Sequence, residues 1–108
     1  MGHTEELTLM RIFISENDRF GGKPLYQALV ELFHEQGFSG ATVLKGAMGY
    51  GPHGEIHSDH LLRLSSDLPV VVEVVESQAR METVLPELER MLDGGLVTLE
   101  NVRVIRYK

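Results

Sequence analysis

One succession, a strand, an amphipathic helix, a glycine and a second strand, occurs twice in 108 residues, and this order constrains the fold more than any composition does. In the first half, residues 7–15 read as a strand. Met10, Ile12 and Ile14 share one face; Leu9 and Phe13, interrupted by Arg11, share the other. Residues 16–22 form a polar turn ending in glycine. Lys23-Pro24 then opens a helix, since proline suits the first helical position. Leu25, Ala28, Leu29, Leu32 and Phe33 keep helical spacing, and Gly37 ends the helix. A second strand is expected over residues 41–45, with pairing resuming somewhere within residues 56–64.

The second half opens on LPVVVEVVE, residues 68–76, the strongest strand signal in the chain. Val70, Val72 and Val74 make one apolar face, Val71 and Val75 the other. Ser77 caps a second helix with Met81, Val84, Leu85, Leu88 and Leu92 on one stripe, and Pro86 predicts a kink inside it. Asp93-Gly94-Gly95 stops this helix, and a last strand is expected over residues 97–107 with a break near Glu100-Asn101. Two such units predict an α+β class, a ferredoxin-like βαββαβ sandwich in which a four-stranded antiparallel sheet carries both helices on one face. A single domain over residues 1–108 is the expected organisation. Leu9, Phe13, Val71, Val75 and Ile105 are expected on the opposite face, where a patch so apolar marks an interface.

A formal charge of −6 argues against nucleic-acid binding, which needs a basic face for phosphate contacts. Without cysteine there are no disulfides, thiolate metal sites or thiol nucleophiles. No long apolar run or signal pattern is visible, so the expected location is cytoplasmic. There is no G-x-S-x-G and no G-K-[ST], and Glu73 and Glu76 fall on opposite strand faces. No catalytic residue is assigned, and the chain is not expected to be an enzyme.

Chemistry concentrates in GATVLKGAMGYGPHGEIHSDH, residues 40–60. Lys45, Gly46, Gly49, Tyr50 and Gly51 combine a cation, an aromatic ring and unencumbered backbone N–H groups at a strand end. Such glycine density permits positive φ and close approach of a ligand, and successive N–H groups form anion-binding nests. Gly94-Gly95 offers a second small-residue turn, and Arg103, Arg106 and Lys108 place three of ten basic residues in the last six positions. On these residues alone, a specific anion site and a pair of surface salt bridges are equal readings of Arg103 and Arg106. His53, His57 and His60, with Asp59, have metal-ligand character, but Tyr50-Gly51-Pro52-His53-Gly54 is a poor helix, so their spacing loses its geometric meaning. They read as solvated loop histidines, and no metal site is assigned.

Three stretches together, GGKPLYQALVELFHEQGFSGATVLKGAMGYG, IHSDHLLRLSSDLPVVVEVVES and GGLVTLENVRVIRY, resemble the PII-like signalling proteins, in particular the short uncharacterised PII-like family. The resemblance covers nearly the whole chain. It implies a homotrimer whose sheets face the central axis, with adenine-nucleotide sites in the clefts between subunits. By this resemblance Lys45, Gly46, Gly49, Tyr50 and Gly51 match the base of the PII central loop, here residues 46–61. Gly94, Gly95, Leu96 and Val97 match the turn before the last strand, and Arg103 and Arg106 match a C-terminal basic pair. PII itself has a longer Gly/Lys-rich turn that grips a triphosphate, where this chain has only Asp93-Gly94-Gly95. The expected ligand is therefore AMP or ADP in preference to ATP, with no further cofactor required. The loop lacks PII's Mg-ATP glutamine, which counts against 2-oxoglutarate sensing, and Tyr50 lies at the loop base, which suits uridylylation poorly. The resemblance further implies a regulated partner, a membrane channel, a transporter or an enzyme, engaged through the loop. The alternative is a divalent-metal-binding trimer similar to the CutA proteins, with the loop histidines as ligands.

Overall fold

The computed structural model describes residues 2–51 and 67–107, together with the backbone of residues 57–58. Strand β1 (His3–Ser15) leads into a two-strand ribbon, β2 (Arg19–Phe20) and β3 (Lys23–Pro24), then helix α1 (Leu25–Glu35). Strand β4 (Thr42–Lys45) is followed by β5 (Met48–Gly49), which pairs with β6 (His57–Ser58). Strand β7 (Pro69–Glu76), helix α2 (Gln78–Met91) and strand β8 (Leu96–Arg106) complete the chain. The main sheet has the order β4-β7-β1-β8 with every neighbouring pair antiparallel. This is the expected ferredoxin-like arrangement.

The alternation read from the sequence decides which side of the sheet is covered. Met10, Ile12 and Ile14 pair with Val74, Val72 and Val70, and all six are buried against the helices. Leu25, Ala28, Leu29 and Phe33 close the core from α1, and Met81, Val84, Leu88 and Met91 close it from α2. Side chains as fully buried as Leu29 and Phe33 each contribute about 1.5–3 kcal/mol over an exposed reference. Helix α1 begins at Leu25, with Pro24 in the extended conformation just before it, because Lys23 and Pro24 are engaged by Phe20 and Arg19 in the ribbon. Gly37 follows α1 at φ 78°, as expected of a C′ glycine. Ser77 caps α2 by accepting a hydrogen bond from the Arg80 backbone N–H at 3.3 Å. The helix continues through Pro86, which is exposed.

Several expectations need correction. Met91 replaces Leu85 and Leu92 on the buried stripe of α2; Leu85 is exposed, and Leu92 is the half-buried residue that ends the helix. The last strand has no break at Glu100-Asn101, because its register with β1 runs uninterrupted from Phe13↔Leu96 to His3↔Arg106. That register moves Ile105 to the helix side, opposite Thr4, and gives the outer face to the even-numbered residues of β8. The outer face therefore carries Leu96, Phe13, Val71 and Leu44 in one row across all four strands. Phe13, Leu44 and Leu96 are exposed in the single chain. Strand β1 also starts at His3, four residues earlier than the alternation suggested, so His3–Leu7 and Val102–Arg106 form a two-stranded extension beyond β7.

Candidate functional site

Strands β1 and β4 both run antiparallel to β7, which lies between them, so both end at one rim of the sheet. There the residue after β1, Glu16, meets the last residue of β4, Lys45, in an ion pair of 2.5 Å. The Glu16 backbone N–H donates to Leu68 O at 2.8 Å, and the Gly46 N–H donates to Pro69 O at 2.8 Å. These bonds tie the entrance of the central loop to the start of β7. Glu16 Oε2 and Asp67 Oδ1 are buried acceptors without a donor among the described residues. Buried acceptors of this kind ordinarily have a partner.

The loop-base glycines do something other than expected. Gly46, Gly49 and Gly51 are not among the glycines with positive φ, which are Gly21, Gly22, Gly37, Gly94 and Gly95 among the described residues. A Cβ on Gly46 or on Gly49 would lie 2.8 Å from Pro69 Cγ. Their small size is thus used first for packing on the proline ring, and Tyr50 beside them is exposed. The turn between α2 and β8 keeps its expected character. Gly94 has φ 90° with nothing within 4 Å of a built Cβ, whereas a Cβ on Gly95 would lie 2.6 Å from Phe13 O. Leu96 and Val97 then start β8, Leu96 exposed and Val97 half-buried.

The structure brings these groups to three separate places. The row Leu96–Phe13–Val71–Leu44 puts the Gly94-Gly95 turn and the Lys45-Gly46 entrance at one end of the sheet but at its two edges, about 14 Å apart at ~4.8 Å per strand. Arg103 and Arg106 lie opposite Glu6 and His3 at the other end, Arg103 about 23 Å from Leu96 along β8 at ~3.3 Å per residue. Arg106 is ion-paired with Glu5. Its hydrogen bond holds the Glu5 carboxyl below the ordinary value, an effect that slight burial opposes, and Glu5 in turn raises Arg106. Arg103 has no ion pair among the described residues. Two surface grooves of about 320 Å³ each lie elsewhere, one between the helices beside Phe20 and Arg90, one along Ser39–Thr42 and Val74. Neither is lined by any of the expected nucleotide-contacting residues.

His53, His60 and Asp59 lie outside the described residues, and of His57 only the backbone is placed, paired with Gly49. Among the described residues no group of three His, Asp or Glu side chains could hold a metal ion. Nor is any described helix long and apolar enough to cross a membrane.

The profile of the family DUF190, described as uncharacterized ACR, COG1993, matches residues 7–104. The chain belongs to the DUF190 family. A UPF0166 protein of Aquifex aeolicus (strain VF5) is 44% identical over 97 residues, covering 90% of this chain and 91% of the relative. CPII from Thiomonas intermedia K12, bound to ADP and bicarbonate, superposes with a TM-score of 0.71 at 17% identity, covering 96% of this chain and 93% of that one. The same protein, described as nitrogen regulatory and PII-like and bound to ADP, AMP and bicarbonate, gives 0.65 at 18% identity over 96% and 92%. The resemblance to PII-like proteins read from the sequence holds, and so does the expected ferredoxin-like fold.

Two features of this DUF190 chain escaped the sequence reading. One is Glu16 as the partner of Lys45, which the end-to-end alignment of two parallel strands would have suggested once the strand order was set. The other is a charged belt on the outer face. Arg11 donates from Nε to Glu73 Oε2 at 2.7 Å and from Nη1 to Glu100 Oε1 at 2.8 Å. The Glu73 hydrogen bond is the main reason that the Arg11 guanidinium is raised above its ordinary value, against some desolvation. The signal was present as Arg11 between Leu9 and Phe13, but its partners depend on register.

Proposed function

We propose that this protein is a non-catalytic, homotrimeric PII-like signalling protein that binds an adenine nucleotide, AMP or ADP in preference to ATP. The whole chain acts as one domain in the cytoplasm. The sites lie in clefts between subunits, bordered by Lys45, Gly46, Gly49, Tyr50 and Gly51, by Gly94, Gly95, Leu96 and Val97, and by Arg103 and Arg106. Residues 46–61 report occupancy to a partner, a membrane channel, a transporter or an enzyme. The observation that carries this reading is the fold shared with CPII, a protein solved with ADP and AMP.

The dispersal of the site residues supports the inter-subunit placement. One chain holds them at two edges and two ends of its sheet, so a second copy is needed to bring an arginine from the far end of β8 to a glycine rim. The apolar outer row supports self-association, since exposed Leu96, Phe13 and Leu44, joined through half-buried Val71, form a contiguous patch across the four strands. The short Asp93-Gly94-Gly95 turn supports a ligand with few phosphates, because the open Gly94 is the one uncrowded glycine in it. Ligand-driven ordering of a loop is an established switching mode.

Calorimetric titration with AMP, ADP, ATP and cyclic AMP, each with and without Mg²⁺ and with and without bicarbonate, tests the reading. AMP or ADP should bind most tightly and be recovered unchanged. Failure of every nucleotide to bind below millimolar concentration would reject it. Binding of a divalent metal that His57→Ala removes would put the metal-binding trimer in its place. Turnover of the bound nucleotide would make the protein an enzyme.

A further inference from the structure

The outer sheet face is apolar in two rows and charged in the row between them. Leu96, Phe13, Val71 and Leu44 form the first, Leu9 and Val75 belong to the third, and the second holds Thr98, Arg11, Glu73 and Thr42. Glu100, one pairing step away opposite Leu9, completes the belt through its bond to Arg11. We propose that this belt is a subunit-matching device, in which Arg11 of each copy also pairs with the belt glutamates of the next copy and so fixes how the sheets register. The proposal rests on the homotrimer reading and adds to it the residues that make the assembly specific.

The belt is incomplete within one chain. Arg11 uses Nε and Nη1, leaving Nη2 without a partner among the described residues, while Glu73 and Glu100 each bond through one oxygen. Arg11 and Glu73 are already partly withdrawn from water, at 39% and 27% side-chain exposure. Covering the face with another subunit would desolvate them further, and a desolvated charge left half-paired is strongly destabilising. An apolar partner would leave those groups unmet. A second copy supplies the complement, because one arginine against two glutamates gives every belt both a spare donor and spare acceptors. The excess carboxylate sits on Glu100, which lies on the edge strand and is the most exposed of the three.

The belt also excludes wrong registers. Apolar rows alone would tolerate a slip of one row, since Phe13 and Leu9 offer similar surfaces. With the belt present, that slip sets Arg11 against an apolar row and buries it unpaired. Specificity then comes from the penalty on the wrong arrangement as much as from attraction in the right one.

Two charge-reversed variants test this, Arg11→Glu and Glu100→Lys, the second at an exposed edge position that should not disturb folding. Wild type and variants are checked by circular dichroism, sized by sedimentation velocity, then mixed in equal amounts and examined by native mass spectrometry. Each variant alone should show trimer association weakened by about tenfold or more, and the mixture should form mixed trimers above the statistical proportion. A folded Glu100→Lys protein that assembles with wild-type affinity, or a mixture with no excess of mixed trimers, would overturn the proposal. A wild-type trimer with indifferent variants leaves the homotrimer reading standing and removes only the belt's role. A monomeric wild type removes both.

Discussion

Gly49 lies against the ring of Pro69, so close that a Cβ at that position would sit 2.8 Å from Pro69 Cγ and 3.7 Å from Cβ and Cδ. Gly46 meets the same ring, a Cβ there also lying 2.8 Å from Pro69 Cγ, with its N–H on Pro69 O. The proline at the start of β7 is thus contacted by two glycines at the point where the central loop leaves the sheet. A proline ring can change pucker but cannot rotate away, so a larger residue at either glycine crowds it.

Gly49→Val should therefore destabilise the fold by about 1–3 kcal/mol, the usual cost of overpacking, before any ligand is considered. In the double variant with Pro69→Ala much of that cost should disappear, since the two residues share one contact. Urea unfolding of the four proteins measures the coupling. Additive costs would show that the glycine is needed for something other than the ring.

The Glu5–Arg106 pair predicts a pH effect with a definite sign. Arg106 lowers the Glu5 carboxyl, first by its hydrogen bond and then by its charge, aided by His3. A carboxylate lowered in the folded state contributes stability above its unfolded pKa and loses it as pH falls through the lowered folded value. Both groups are exposed, so the effect is small and should fade with added salt. Carbon-detected NMR titration should find Glu5 below an ordinary glutamate in the wild type and restored to it by Arg106→Ala. An unchanged Glu5 titration in that variant would show that the pair does not persist in solution.

The row Leu96–Phe13–Val71–Leu44 predicts how the proposed homotrimer would fail. Val71 lies on β7, one of the two inner strands, half-buried and flanked by Phe13 and Leu44. Val71→Glu places a carboxylate in the apolar row and should leave a folded monomer, because desolvating that charge against a second subunit costs several kcal/mol (roughly 2–5). Sedimentation velocity should shift from trimer to monomer while circular dichroism stays unchanged. A trimeric Val71→Glu protein would move the interface elsewhere.

What was legible in the chain followed from periodicity. The buried faces of β1 and β7 were readable because three consecutive alternating positions on each are β-branched, leucine-like or methionine, and α1 because its apolar spacing is unbroken. Strand β8 was not readable in the same way. Leu96, Val97, Leu99, Val102, Val104 and Ile105 put apolar residues on both parities, so nothing local tells which face is inward, and Ile105 was assigned to the wrong one. Its parity is settled only by pairing with β1, a contact between residues about a hundred apart in sequence. The same holds at the loop entrance. A glycine that avoids a proline ring and a glycine that admits a ligand look alike in sequence, and the difference at Gly49 lies in Pro69, twenty residues away.

The two C-terminal arginines can now be separated. Their places in β8 alternate, so they face opposite sides of the sheet, Arg106 toward the outer face with Glu5 and Arg103 toward the helix side opposite Glu6. Arg106 already has a carboxylate, and a nucleotide phosphate would have to displace it. Arg103 makes no ion pair among the described residues and can meet a phosphate without losing a partner. If the proposed site uses this end of β8, Arg103→Ala should weaken AMP or ADP binding by roughly ten- to a hundredfold, the range of one to two charge-assisted hydrogen bonds. Arg106→Ala should change it by less than about threefold, and its main effect should appear on Glu5. Arg103→Lys should recover only part of the loss, because an ammonium keeps the charge without the planar fork. Calorimetry on the three variants gives the comparison. A larger loss at Arg106 than at Arg103 would place the phosphates on the outer face, and equal small losses would remove both arginines from the site.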